Sequence, residues 1–391
     1  MVSTGSGESL AGELNVIGVI GGGQLAWMLA PAAQKLGLQL IVQTPDSTDP
    51  AVALATDTIL APITDIDATA TLASRCDVIT FENEFINVPG LQPLAIQGSQ
   101  FRPDLEVLAL VLDKLDQRQF FDRIGLPNPR YTSLEGTENV DELATRALDI
   151  GFPLVIKTRR LGYDGYGTFI IHTPQQLPMA WEATGNAPVL LEEFVPFDKE
   201  LAILVARSAT GEVAVFPSVE TQQVEQICRR VIAPARVSPQ VTQTVAQLAR
   251  TLVNQLSLVG IVGIEFFLTQ EGRVLVNEMA PRTHNSGHYT IDACETSQFE
   301  QQLRAISNRP LGATTLTCPQ ALMVNLLGLD ASLEEHLARL QQLKNLPNGQ
   351  VYWYEKAPRP GRKLGHITLR LKDTDDPIEI ASQVDYLWYH E

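Results

Sequence analysis

Positive charge is scarce in this sequence. Lysine and arginine number 29 against 45 aspartates and glutamates, a net charge of −16 over 391 residues. That balance excludes wrapping around nucleic acid or lying on an anionic membrane surface. An anionic substrate would need a locally basic pocket. Cysteine is scarce too: Cys76, Cys228, Cys294 and Cys318 lie far apart, with neither metal-type spacing nor a disulfide framework. They read as reduced thiols of a cytoplasmic protein. No apolar run approaches membrane-spanning length. Residues 1–14 are rich in Ser, Gly and Glu, lack the basic and apolar regions of a secretion signal, and are expected to form a loose extension. The chain as a whole, 45% hydrophobic and 19% charged, has the composition of a soluble globular protein with room for two or three domains.

An apolar strand, Asn15 to Ile20, runs into Gly21-Gly22-Gly23-Gln24-Leu25-Ala26, then a helical stretch to Leu36 and a second strand, Leu38 to Val42. Strand, glycine turn and helix make a nucleotide-type α/β unit, in which helix N-terminal amides can approach an anion closely. The pattern fits a dinucleotide fingerprint ending at Ala26. The acid that would hold a ribose is misplaced, because Asp46 lies beyond Thr44-Pro45. A tight turn opening a packed helix explains the glycines equally well. Pro31 is expected to kink or shorten that helix. Further strands are expected at Thr58 to Leu60 and Val78 to Phe81. The second leads into Glu82-Asn83-Glu84, acids either at the ligand end of an open sheet or solvated in a loop. Leu105 to Ile124 reads as helical, carrying Asp113-Lys114, until Pro127 and Pro129 break the chain.

Phe152 to Lys157 is a strand ending in a lysine. A glycine-rich loop follows, Arg159-Arg160-Leu161-Gly162-Tyr163-Asp164-Gly165-Tyr166-Gly167, and then a strand from Thr168 to Ile171. A lysine ammonium beside a loop able to close suits a triphosphate. No Gly-Lys-Ser/Thr follows, so this is not the Walker form. The run Val189 to Val195, broken by Glu192 and Glu193 and followed by Glu200, suits adenine and ribose hydroxyls; alone, its acids could be edge-strand charges. Pro239 to Leu256 has the spacing of an amphipathic core helix.

Two β-branched runs, Gly260 to Leu268 and Val274 to Val276, flank the turn Thr269-Gln270-Glu271-Gly272 and read as a hairpin. It would bring Glu265 beside Glu278, and two carboxylates together suit Mg²⁺. The alternative is a surface hairpin with stray charges. Next come Pro281-Arg282-Thr283-His284-Asn285-Ser286-Gly287-His288, a helical Gln298 to Ile306 and a smaller closing unit from about Leu316. In that unit Arg359, Arg362, Lys363 and His366 crowd a glycine-containing turn, an anion pocket in an acidic chain.

The order Lys157, Gly162-Tyr163-Asp164-Gly165, Glu192 to Val195, Glu265 and Asn277-Glu278 resembles the ATP-grasp superfamily. Gly23-Gln24-Leu25, the Tyr-Asp-Gly loop, Arg282 to His288 and Arg359-Pro360-Gly361-Arg362-Lys363-Leu364-Gly365-His366 resemble, more narrowly, the N5-carboxyaminoimidazole ribonucleotide synthases. The resemblance spans nearly the whole chain from residue 15. It implies an α/β chain of ATP-grasp architecture: a Rossmann-like parallel-sheet domain (15–104), an ATP-grasp domain (105–315, with a lid at about 130–195) and a C-terminal domain (316–391). It implies ATP with Mg²⁺, or Mn²⁺ in its place, acting on aminoimidazole ribonucleotide and bicarbonate in a homodimer.

The same resemblance assigns roles. Lys114 and Lys157 would contact ATP phosphates, and Gly162, Tyr163, Asp164, Gly165, Tyr166, Gly167 and Thr168 would form the lid. Glu192, Glu193, Phe194 and Val195 would line the adenine site, with Glu200 on the ribose. Glu265 and Glu278 would hold the metal, with Asn277 beside them. Gln24, Arg282, His284, Asn285, Ser286 and His288 would face the ribonucleotide and bicarbonate, and Arg359, Arg362 and Lys363 its phosphate. Catalysis would fall to Arg282, His284, His288 and Asp164, with His284 the first candidate for the base and His288 the second. The sequence departs from the family pattern at Leu161, in place of a second loop glycine, at Ala26-Trp27 after Gln-Leu, and at Glu220, where some relatives carry a histidine. The rival readings are another ATP-grasp ligase, a dinucleotide-dependent oxidoreductase built on Gly21 to Ala26, and a silent ATP-binding protein.

Overall fold

Apolar, β-branched runs punctuated by glycine and proline build three sheets in the computed structural model of the chain, which describes residues 12–136, 140–160 and 167–390. The first sheet is parallel. Its strands β1 (Val16–Ile20), β2 (Gln39–Thr44), β3 (Asp57–Leu60) and β4 (Val78–Phe81) lie in the order β3-β2-β1-β4. Strands in such sheets are covered on both faces, which is why β1 is almost wholly apolar and Ile17, Val19 and Ile20 are fully buried. Strand order reverses between β1 and β4, so the crevice at their C-terminal ends is where an open sheet binds. Gly21–Gly23 and Glu82–Glu84 stand there. The helix Gln24–Leu36 continues through Pro31, so the proline costs it an N–H without ending it.

The second sheet is antiparallel: β5 (Tyr131–Leu134), β6 (Leu154–Thr158), β7 (Thr168–Ile171) and β8 (Val189–Glu193), in the order β5-β8-β6-β7. Leu143, Ala147 and Trp181, from the helices Val140–Ile150 and Leu177–Ala183, pack on Ile156 and Leu191. Because β8 is an interior strand, Glu192 and Glu193 are not edge charges.

Nine strands form the third sheet: β9 (Phe197–Arg207), β10 (Val213–Val215), β11 (Val219–Val224), β12 (Ile227–Ala233), β13 (Gly260–Thr269), β14 (Val274–Ala280), β15 (Gln320–Leu327), β16 (Gly349–Trp353) and β17 (Lys363–Leu371). Their order is β14-β13-β9-β11-β12-β15-β17-β16, with β10 on β9. The closing segment therefore adds three strands to the central sheet through β12–β15 pairing instead of building a sheet of its own. On this sheet lies the helix Pro239–Leu256. The Ser238 hydroxyl accepts from the Val241 amide at 3.3 Å, a cap worth about 1 kcal/mol. Val245, Leu252 and Val253 are fully buried on its inner face, each contributing roughly 1.5–3 kcal/mol.

Two further contacts position the site. The expected helix from Leu105 to Ile124 is two helices, Leu105–Val111 and Lys114–Arg123, because the Asp113 carboxylate accepts from the Leu115 amide at 2.9 Å and starts a new N-terminus. Met28, Leu29 and Ala33 pack against Phe299, Leu303 and Ile306 of the helix Gln298–Ile306, docking the parallel sheet onto the central one. Lys35 reinforces the seam from its rim, 2.7 Å from Glu300. No helix among the described residues is long and apolar enough to cross a membrane.

Candidate active site

The hairpin of β13 and β14 sets Glu265 directly opposite Glu278, and residues so paired project from one face. The helix Lys114–Arg123 braces β14: the Met279 amide donates to Gln117 Oε1 at 3.2 Å, and Arg118 donates to the Val276 carbonyl at 3.1 Å. From the second sheet Lys157 reaches across, donating to Asn277 Oδ1 at 3.3 Å and sitting 2.7 Å from Glu192 Oε2. Lys114, Gln117, Arg118, Lys157, Glu192, Asn277 and Glu278 thus line one pocket. A second concavity, beside Cys76 and Gln97–Gln100, holds one carboxylate, Asp77, already bonded to the Asn15 and Val16 amides.

The pocket holds several coupled charges. Burial lowers the Lys114 ammonium despite the neighbouring Glu278 carboxylate. Burial and the Glu278 charge push Glu200 up to about 7, so its carboxyl stands poised between protonated and ionised near neutrality. Glu192 is 2% exposed, its two oxygens committed to Arg118 and Lys157, while Glu193 pairs with Arg130 at 2.8 Å. The adenine-facing carboxylate expected at Glu192 is instead an internal counter-ion. Phe194 and the buried Val195 leave the end of β8. Of the expected lid, Gly162, Tyr163, Asp164, Gly165 and Tyr166 lie outside the described residues. The Gly167 carbonyl accepts from Thr158, and Thr168 pairs with Lys157.

Beyond β14 the chain turns towards the parallel sheet. Arg282 donates two bonds to Glu84, at 2.7 and 2.9 Å. Burial works against ionising Glu84, and the guanidinium overrules it, holding the carboxyl below its ordinary range. Glu84, past β4, is therefore a structural charge at the crevice, not a solvated one. Glu84→Ala is expected to cost about 1.5–3 kcal/mol, read as a lower denaturation midpoint; an unchanged midpoint would mean that Arg282 is held by other contacts.

His284 is half-buried, its Nδ1 2.8 Å from Ser286 Oγ and its Nε2 3.6 Å from Glu265. Asn285 is amide-paired with Asn325 at 2.7 and 2.9 Å. His288, by contrast, is 1% exposed, bonded to Gln298 at 3.1 Å and kept neutral by burial. It packs 4.9 Å from the ring of His366. His366 does not belong to the basic turn: it is fully buried on β17, stacked on Tyr352, bonded to the Tyr354 hydroxyl at 2.7 Å, and lowered by burial to about 3. β17 is an interior strand buried on both faces from Leu364 to Leu369, so the His366 side chain is enclosed.

Arg359, Arg362 and Lys363 remain at the turn, held against β15 where Gly328 donates to the Arg362 carbonyl at 2.7 Å and accepts from Gly361 at 2.9 Å. They are joined by a residue the sequence reading passed over. Lys356 bonds to Gln24, lies 5.7 Å above the Tyr354 ring, and is lowered by burial to about 8. Glu82, the charge that most opposes this shift, accepts from the Gly23 and Leu25 amides at 2.7 and 3.2 Å. The acceptor held by the glycine turn is thus the protein's own Glu82 carboxyl, which burial pushes up. A Cβ on Gly23 would lie 2.3 Å from Glu82 Oε1, leaving no place there for a dinucleotide pyrophosphate. Arg118 was also passed over, although its i+4 spacing from Lys114 puts both on one helix face.

Residues 14–111 match the ribonucleotide synthetase preATP-grasp domain, 119–299 the ATP-grasp domain and 321–379 the phosphoribosylaminoimidazole carboxylase C-terminal domain. An N5-carboxyaminoimidazole ribonucleotide synthase from Synechococcus elongatus is 52% identical over 379 residues, 95% of each chain. One from Bacillus subtilis is 39% identical over 366 residues, 93% of each chain. Among solved structures, an N5-carboxyaminoimidazole synthase from Aspergillus clavatus in complex with ADP and 5-aminoimidazole ribonucleotide superposes with a TM-score of 0.87 at 32% identity, covering 95% of this chain and 97% of that one. An ADP complex of an N5-carboxyaminoimidazole ribonucleotide synthetase gives a TM-score of 0.90 at 35% identity, covering 97% and 98%.

Proposed function

The chain belongs to the N5-carboxyaminoimidazole ribonucleotide synthase family of ATP-grasp ligases, and from that premise we propose how its cleft divides the work. The reaction is the ATP-dependent carboxylation of aminoimidazole ribonucleotide in purine biosynthesis. Segment 105–315 takes ATP, while 15–104 and 316–391 close the ribonucleotide side. One observation carries this division: β14 runs from the Lys157–Asn277 contact straight into Arg282 and His284, so a nucleotide and an acceptor would meet over one strand.

Lys114 and Lys157 bind the phosphates, Phe194 and Val195 border the adenine, and Glu200 bonds a ribose hydroxyl. The oxygen donors of Glu265 and Glu278 fit Mg²⁺, a hard cation that keeps substrate phosphates among its ligands. When bound it supplies charge neutralisation for phosphoryl transfer. A bicarbonate oxygen attacks the γ-phosphorus, ADP leaves, and carboxyphosphate forms beside Arg282. Lys157 stabilises the transferring charge. The exocyclic amine of the ribonucleotide then takes the carboxyl carbon, phosphate departs, and His284 accepts the amine proton. His284 is favoured over His288 because it is part-exposed while His288 is sealed. Lys356, Arg359, Arg362 and Lys363, with Gln24 orienting Lys356, grip the ribonucleotide phosphate. The reading brings with it a cytoplasmic location, supported by four cysteines present as thiols, and a homodimer, supported by family membership.

ADP release under ATP, Mg²⁺ and bicarbonate is expected to rise strongly only when the ribonucleotide is also present. Release indifferent to the ribonucleotide would discard this acceptor. Gly328 offers a finer check, because a Cβ there would lie 2.1 Å from the Arg359 carbonyl, a backbone atom. Gly328→Ala should push the basic turn aside and raise the ribonucleotide KM with the ATP KM unchanged. Parallel changes in both constants would detach the turn from the phosphate site.

A further inference from the structure

In the wall of the ATP pocket lies a row of three charges, Arg118, Glu192 and Lys157. Arg118 Nε is 2.6 Å from Glu192 Oε1, and Lys157 Nζ is 2.7 Å from Glu192 Oε2, so each carboxylate oxygen has its own cation. The side chains of Arg118 and Glu192 are each 3% exposed and that of Lys157 is 13% exposed. Burial alone would push the Glu192 carboxyl up; the Arg118 and Lys157 charges reverse this and hold it at about 2. The row therefore carries two positive charges and one negative.

We infer that Arg118 is a positioning residue for the nucleotide: by neutralising Glu192 from behind, it leaves the Lys157 ammonium available to the ATP phosphates. Without Arg118 the buried carboxylate would be matched by Lys157 alone, and a one-to-one ion pair in a dry site holds its partner strongly. With Arg118 present, Lys157 keeps a surplus charge and two outward attachments to exchange, to Asn277 and to an incoming phosphate. The geometry also explains why the position is arginine. Its guanidinium bonds Glu192 and the Val276 carbonyl together, at 2.6 and 3.1 Å, a fork that a lysine ammonium cannot reproduce. The same helix that presents Lys114 to the pocket thereby fixes the second lysine indirectly.

The inference rests on the reading of Lys157 as a phosphate ligand, and the experiment separates the two. ATP is varied with the full-length enzyme at saturating ribonucleotide and bicarbonate, for Arg118→Gln, Glu192→Gln, the double variant, Arg118→Lys and Lys157→Ala, with melting curves for each. Arg118→Gln should raise the ATP KM by roughly tenfold or more and leave the ribonucleotide KM unchanged. The double variant should recover most of that loss, because a neutral side chain at 192 no longer competes for Lys157. Arg118→Lys, which keeps the charge but not the fork, should lie near wild type in ATP KM even where its melting temperature drops, and it carries the test if Arg118→Gln does not fold. A double variant no better than Arg118→Gln, or an Arg118→Lys as impaired as Arg118→Gln, reduces Arg118 to a brace for β14 and overturns the inference. An unchanged ATP KM in Lys157→Ala would overturn the phosphate reading itself.

Discussion

Glu278→Gln is expected to lower kcat by about 10²–10³-fold, the scale on which one preorganised electrostatic contact to a transferring group acts. Glu278 is exposed on β14, directly opposite Glu265, and its charge is felt by Lys114 and by Glu200. The amide keeps the shape and removes the charge, so strand pairing survives and the proposed Mg²⁺ site would lose a ligand. The loss should be partly recovered at high Mg²⁺, and Glu200 should titrate lower once the repelling charge is gone. A Mg²⁺ titration of kcat in wild type and variant measures the first effect. Turnover within a few-fold of wild type at low Mg²⁺ would remove Glu278 from the metal site.

Lys356→Met is expected to reduce kcat/KM for the ribonucleotide by about 10–100-fold, the value of one charge-assisted hydrogen bond in a partly buried site. The sign of the pH dependence follows from the depressed pKa. Lys356 is a cation below about 8 and neutral above it, so kcat/KM for an anionic substrate should fall as pH rises through that value, and this profile reports the free enzyme. Lys356→Arg, charged throughout, should lose the alkaline limb. An alkaline limb that persists unchanged in Lys356→Arg would assign it to another group.

The parts of this site that depend on local order were legible in the sequence. A short glycine turn between two β-branched runs was enough to foresee Glu265 facing Glu278, and the pairing register has them opposite. The helices Pro239–Leu256 and Gln298–Ile306 begin and end where their apolar spacing does. What escaped depends on contacts between distant segments. Asp113 splits a helix because its carboxylate caps the second half, where it also meets Arg159 at 2.7 Å. Nothing near Gly21–Gly23 in the chain announces that Glu82 fills the turn. His366 reads as a fourth cation in a basic turn until the interior position of β17 buries it. Glu192 reads as a ligand for adenine until Arg118 and Lys157 claim both its oxygens. Lys356 stands outside the basic turn proper, and only the docking of Gln24 against it places it in the cleft.

The proposed reaction turns on one chemical event, transfer of the γ-phosphoryl group of ATP to a bicarbonate oxygen within this cleft. Turnover with ¹⁸O-labelled bicarbonate, followed by mass analysis of the inorganic phosphate, tests it directly. Carboxyphosphate formation requires one oxygen of bicarbonate to leave with the phosphate, so the phosphate should carry one label per turnover. Unlabelled phosphate, released at the same rate as the carboxylated product, would mean that ATP is hydrolysed by water and that the Lys157–Glu278 pocket drives the carboxylation by some other route.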